Sequence, residues 1–586
     1  MDVAAASAEA TAEGVRWRRV ALRWAAHAAW VLVLAVATEL RVGRFGFHPS
    51  DQGFILAQAW RVLQGEVPHA DIISARPLGS AILHVVDFAL PGPLLFASSC
   101  LAMVQIALTT IAFAVLVMRR PVLSWGPGRT ALVAAAALLN LNGFPLMAWH
   151  TIDGITLTAC GAWALDSGLR KGNPYARLGG LALLGAAVFV KQSFVLAAVI
   201  GLVWTLCYPN RLRRLPGDLL ALGAVGIGYV AWVGVGSGFD EMVGQLTGGV
   251  PAYGERLLGL WLEDPQVLLR APGQQLTFFA AVAVVLVMLR LAGERLGAAG
   301  RVAAWLLALA GAAAVAWTVV DGRLTASSRW ADVLWWILAV AVVVHAIVRR
   351  KVSWAALLVL ATGFMTSLSW GNDTPTLLTG SLALTALLLL GFVLPDLAPV
   401  LRRTWLTATA GLVTVALCGW AVVAHHDEAA YLDLSHDKLT ADLGTVSPAM
   451  RGIRTNPATY AYVAQIRDCL QRYPASRVAV LPDNPFAYPV FGLHNPFPLE
   501  WPLPLEIVGD APQRMLATAA DLDREGDYLV LFETVQNKTL AQGGPVPDRV
   551  AADAPIVDYL GLENGLRTRL TGQPVACGSF VGKWVR

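Results

Sequence analysis

The sequence predicts a mainly α fold: a polytopic membrane helical bundle of about 13 spans, with a small external α/β domain at its C-terminal end. Three observations predict it. The 586 residues are 56% hydrophobic and only 14% charged, against roughly 25% charged in soluble domains. Apolar runs recur along residues 1–424, and about 17–25 such residues cross a bilayer as one helix. From about His425 the chain turns polar and acidic: residues 425–586 hold 14 Lys/Arg and 19 Asp/Glu, leaving 30 and 21 for residues 1–424.

The expected spans are 22–40, 94–118, 130–148, 153–169, 178–190, 193–208, 217–236, 274–290, 302–320, 332–348, 353–370, 376–394 and 404–424. The first is too long for a signal-peptide core and reads as a retained span. The fifth and sixth are short and parted only by Lys191-Gln192. Basic residues are retained on the cytoplasmic side. Arg16, Arg18, Arg19 and Arg23 precede the first span, and Arg119-Arg120, Arg170-Lys171, Arg211 with Arg213-Arg214, Arg349-Arg350-Lys351 and Arg402-Arg403 fall on the same side. Merging 178–208 into one helix would put the later clusters on the wrong face, so two segments are expected. The N-terminus is then cytoplasmic. The loop 41–93 and the domain 425–586 are periplasmic or extracellular, in a multi-pass plasma-membrane protein.

Within that domain, 458–472 has helical spacing, RVAVLPD (477–483) and DYLVLFE (527–533) read as buried strands, and a last strand runs through CGSFVGKWV. Cys469 and Cys577 both fall there, and in an oxidising compartment two such cysteines suggest one disulfide. Cys100, Cys160, Cys207 and Cys418 lie in spans and read as packing residues. No Cys/His spacing suggests zinc. No Walker loop or GxGxxG opens a helix, so ATP-driven transport has no support, and nothing points to a nucleic-acid partner.

The polar chemistry of the membrane half concentrates in the loop after the first span. Asp51 stands a few residues beyond that span, before FILAQAWRVLQG, whose apolar spacing suits a helix on the interface. A carboxylate there can take a proton from a hydroxyl or hold a divalent cation. Asp71 is its candidate partner, since paired carboxylates divide the labour at sugar-transfer sites; the simpler reading is a turn cap. Arg76, just before Pro77, can grip a phosphate with its two-pronged guanidinium or anchor to headgroups.

Asp153 begins the fourth span, where an ionisable group is costly and usually functional, and His150 is three residues earlier. Lys191-Gln192, at the tip of two short helices, could hold a donor phosphate or simply snorkel. Trp370 and Asn372 sit in an external turn, where a Trp anchors to the interface or stacks on a sugar. The stretch 238–266 reads as a surface helix, and the Pro- and aromatic-rich run 482–502 as irregular domain core.

Together these residues resemble the loop of the C-type membrane glycosyltransferases, such as protein O-mannosyltransferases and lipid A aminoarabinose transferases. In that family an acid follows the first span, and a G-x-x-P-[YH]-x-D segment leads to a basic residue and Pro. Here those positions are Asp51, then Gly65, Pro68, His69, Asp71, Arg76 and Pro77. Asp153 matches a second acid in the next external loop, and Lys191-Gln192 a recurring Lys-Gln after the fifth span. The motif similarity covers roughly the first 200 residues.

The resemblance implies an inverting transferase in the bilayer. It would move a sugar from a polyprenyl-phosphate donor to an envelope glycan, lipid or protein. Asp51 and Asp71 would be catalytic, with Arg76, Lys191 and Gln192 on the donor phosphate. His69, His150 and Asp153 would contact substrate, and Trp370 and Asn372, beyond the reach of the motif similarity, are further substrate-contact candidates from their external turn. Relatives often carry two adjacent acids where this chain has Ser50-Asp51-Gln52, so a divalent cation (Mg or Mn), on Asp51 and Asp153 if anywhere, would be held less firmly. A flippase for lipid-linked sugars would need polar residues deep in several spans. A non-catalytic scaffold would not need these groups to converge.

Overall fold

Among the described residues, four helices are long and apolar enough to cross a membrane: Trp17–Gly43, Leu94–Met118, Arg211–Val235 and Thr407–Glu428. Seven shorter apolar helices accompany them among the same residues. These belong to a computed structural model that describes residues 2–141, 146–209, 211–248, 329–368, 375–393 and 404–586, with isolated helical positions at 284, 297–299, 302 and 306. The chain is mainly helical, with a small sheet near its C-terminal end. The expected spans 274–290 and 302–320 lie almost wholly outside the described residues, and thirteen spans are not reached among the rest.

In chain order the N-terminal helices are α1 (Asp2–Thr38), α2 (Asp51–Leu63), α3 (Gly79–His84), α4 (Leu94–Met118), α5 (Pro127–Leu139), α6 (His150–Lys171), α7 (Pro174–Val190), α8 (Val195–Leu206), α9 (Arg211–Val235) and α10 (Phe239–Gly248). Then follow α11 (Arg329–Arg349), α12 (Trp354–Ser367), α13 (Thr379–Val393) and α14 (Thr404–Glu428). The expected span 130–148 is shorter as a helix: α5 starts at Pro127 and stops before Asn140, whose amide donates to Thr110 and Ser381 instead.

Small residues set the close packing, as in membrane bundles. A Cβ on Gly180 would lie 2.4 Å from the Leu165 backbone nitrogen, and one on Gly185 would lie 1.9 Å from the Leu222 carbonyl oxygen. These contacts draw α7 onto α6 and α9. Lys191, in extended backbone, breaks the chain between α7 and α8. The two helices then fold back on each other, Gly201 packing on Leu184. The two-segment reading of 178–208 matches this break.

The C-terminal domain is a four-stranded sheet of β3 (Arg477–Leu481), β4 (Tyr528–Glu533), β5 (Gln573–Cys577) and β6 (Phe580–Val585), in the order β3-β4-β6-β5. The pair β3–β4 is parallel and the others antiparallel. Two short strands, β1 (Ala441–Asp442) and β2 (Arg454–Thr455), pair separately. The expected helix is α15 (Pro457–Arg472), started by the Asn456 side chain, which accepts from the Ala458 and Thr459 N–H groups. Further helices are α16 (Ala487–Phe491), α17 (Ala511–Glu525), α18 (Asn537–Ala541) and α19 (Leu562–Arg569). Cys469 and Cys577 form a disulfide, with Cα atoms 5.8 Å apart.

Alternate residues of β3 and β4 face two cores, and the loop after the first span enters both. Phe54, Ile55 and Leu56 of α2 pack with Val478, Val480, Leu529 and Leu531. Ile73 and Ala75 pack with Leu481, Val530 and Phe532 on the other face. Polar contacts seal the seam. Arg44 and Gly46 exchange backbone hydrogen bonds with Arg454 at 2.7 and 2.9 Å, and Ile73 N–H donates to Pro498 at 2.7 Å. Arg61 Nη1 donates to Phe497 O at 2.9 Å and Glu500 Oε1 at 2.7 Å. The domain is therefore built onto the loop.

Candidate functional site

Four of the expected site residues meet where the loop, the start of α6 and the α7–α8 tip converge. The Lys191 ammonium donates to Thr151 Oγ1 at 3.1 Å, beside His150 in the first turn of α6. The Gln192 amide donates to the Ala75 carbonyl at 2.9 Å, next to Arg76. His150 lies within reach of the charges of both Arg76 and Lys191. Lys191 is 3% and His150 4% exposed; burial and then the Arg76 charge lower the pKa of both, so an anion bound here would relieve the cost of charging them. A counter-charge is present among the described residues: Arg76 Nη2 donates to Glu506 Oε1 at 2.5 Å. Close backbone approach makes the site compact, since a Cβ on Gly154 would strike Phe194, and one on Gly79 would lie 2.3 Å from the Phe189 carbonyl oxygen.

Asp51 opens α2, where the helix dipole favours a carboxylate. Its Oδ2 accepts from the Tyr431 hydroxyl at 2.8 Å and lies 4.0 Å from His48 Nδ1. Burial and the Asp51 charge push the Tyr431 phenol well above its ordinary pKa, so it stays a donor. Burial lowers the pKa of His48, against the opposing pull of Asp51, Asp483 and Asp433. Asp483 accepts from Trp501 Nε1 at 2.7 Å and from the Tyr559 hydroxyl at 2.8 Å, and burial raises its pKa.

An aromatic wall joins the two groups. Phe54, one turn after Asp51, has ring centroids 5.1 Å from Trp501 and 6.4 Å from Trp149, and Arg76 Cζ lies 6.0 Å from the Phe54 ring centroid. Arg76 thus borders the Phe54 ring, and Asp51 stands one helical turn before it on α2.

Asp153 belongs to a separate network. It is fully buried and accepts from Gln105 Nε2 at 2.6 Å and from the Ser80 hydroxyl, and it faces His84 Nε2 at 3.1 Å. The other His84 nitrogen faces Asp87 at 3.0 Å. Asp153 lies one helical turn from His150, but these partners fix it to α3 and α4.

Asp71 is not brought to Asp51. It is exposed, and its carboxylate accepts from Val67 N–H at 2.7 Å, the simpler turn-capping role. Its carbonyl accepts from Arg61 at 3.0 Å, near the far end of α2. About 15 Å of helix separates Asp51 from Arg61, whereas acting carboxylate pairs stand up to roughly 9.5 Å apart.

His69 takes a left-handed backbone (φ 66°) at that turn, is fully buried, and pairs through Nδ1 with Gln245 Oε1 at 2.8 Å. Gln245 also accepts from Ser74 N–H and donates to the His69 carbonyl, so α10 is docked to the loop rather than lying free on the surface. Trp370 and Asn372 lie outside the described residues. Among the described residues no three His, Cys, Asp or Glu side chains gather as a metal site. Asp51 and Asp153 sit in different networks, so this arrangement does not fit a cation shared between them.

The site residues not anticipated come mostly from the C-terminal domain: Tyr431, Asp483, Trp501 and Glu506. Only Asp483 had a signal, as an acid just past the carboxyl end of a buried parallel strand, where ligands of such sheets collect. Compared with known proteins, the chain matches no family model and no curated protein sequence.

Proposed function

We propose that the chain is an integral membrane glycosyltransferase that transfers a sugar, with inversion, from a polyprenyl-phosphate donor to an envelope acceptor on the external face. The supporting observation is the meeting of Arg76, His150, Lys191 and Gln192, from three distant segments, with Arg76 against Phe54, one turn along α2 from Asp51. Arg76 and Lys191 bind the donor phosphate and stabilise the charge it gains as the bond to the anomeric carbon breaks. The acceptor oxygen attacks that carbon from the opposite face, and its proton passes to Asp51. Tyr431 holds Asp51 in place and Glu506 aims Arg76. In this reading the N-terminus is cytoplasmic and the C-terminal domain is periplasmic or extracellular.

The test is donor binding by the full chain in lipid nanodiscs, across a panel of polyprenyl-phosphate sugars. Native protein binds at least one, and Lys191→Gln weakens that binding at least tenfold. Binding that is indifferent to Lys191→Gln, or absent across the panel, contradicts the reading.

A further inference from the structure

A cleft of about 460 Å³ opens at the seam between the loop and the C-terminal domain, at the C-terminal end of α2. Its volume lies in the range of small-molecule sites, about 300–1,000 Å³. Arg61, Glu66 and Asp71 line it from the loop side, and His494, Asn495 and Arg514 from the domain side. Its charges are already committed. Arg61 is bound by Glu66 and Glu500, and Arg514 donates to the carbonyls of His69 and Ala70. Two guanidiniums face two carboxylates, which leaves no surplus charge to select an anion.

What remains uncommitted is a donor and an acceptor. Asn495 is 2% exposed and its Nδ2 has no hydrogen-bond partner. Glu66 Oε1 is likewise unpartnered, 3.9 Å from His494 and beyond hydrogen-bond range. A hydroxyl both accepts and donates, so a ligand rich in hydroxyls can pair with each. We infer that this cleft is a binding site for a neutral, polyhydroxylated ligand, the glycan chain of the acceptor. Its role as acceptor rests on the transferase reading, but its binding does not.

The experiment measures binding of neutral oligosaccharides (mannan-, glucan-, galactan- and arabinan-derived) to the full chain in nanodiscs, without any donor. Saturation-transfer NMR gives the readout, with inorganic phosphate as competitor. At least one oligosaccharide binds, phosphate does not displace it, and both Asn495→Ala and Gln64→Trp weaken it at least tenfold. Gln64 is an exposed lining residue, so a tryptophan there fills the cleft without entering the core. No binding across the panel, displacement by phosphate, or binding unchanged in both variants overturns the inference. Oligosaccharide binding of this kind in a protein that transfers no sugar would leave the cleft standing and remove the transferase reading. Transfer by Gln64→Trp with an unaltered acceptor KM would do the reverse.

Discussion

Arg61 shows how single charges hold this molecule together. It is 3% exposed, and its main partner Glu500 is fully buried. Truncating one member of a buried pair strands the other, at about 3–5 kcal/mol. Arg61→Ala should therefore lower the unfolding temperature sharply, and an unchanged melt would show that the pair is dispensable. Glu563 gives a pH signature. Burial, and secondarily its hydrogen-bonded neighbour Asp558, raise its pKa from 4.5 to about 8. A carboxyl whose folded value lies above its unfolded one favours folding while protonated. That contribution is full below pH 4.5 and is lost as pH rises through about 8. Glu533 shifts in the same direction. The domain's unfolding temperature should fall across this window, and Glu563→Gln should flatten the slope; a slope unaltered by Glu563→Gln would contradict the assignment.

At the scale of elements, α2 carries Asp51 because it can lie flush on the C-terminal domain. A Cβ on Gly53 would sit 2.1 Å from Phe486 Cα, a backbone atom that cannot turn aside. Gly53→Val should cost about 1–3 kcal/mol and lift α2 from the domain, separating Asp51 from Tyr431. Faster proteolysis within the loop would register this, and an unchanged cleavage pattern would contradict it. Much of this was legible in sequence. The run 94–118 is α4 to the residue, RVAVL and YLVLFE are strands, and the polar break at Lys191-Gln192 separates two helices. Less legible was β5, because QPVAC lacks the apolar run that marked the other strands. The docking of α10 was hidden as well, since it turns on a single Gln245 that reaches a histidine 176 positions away.

For the whole molecule, the feature beyond sequence reading was that loop and C-terminal domain share two cores. Long-range pairs such as Asp51–Tyr431 and Arg76–Glu506 leave no local spacing, so the domain's part in the site could not be read from either segment alone. Asp71 misled for a related reason: motif proximity to Arg76 does not reveal that the turn faces the far end of α2. The domain's integrity also depends on the Cys469–Cys577 link, which spans 108 residues. Removing it with the double change to alanine should cost about 2–5 kcal/mol, seen as a lower unfolding temperature; an unchanged one would contradict that role. The most direct test of the account is single-turnover transfer of labelled sugar from a bound polyprenyl-phosphate donor, comparing native protein with Asp51→Asn. The account predicts equal donor binding with transfer slowed by a factor of about 10² or more. Equal transfer rates in the two proteins would contradict it.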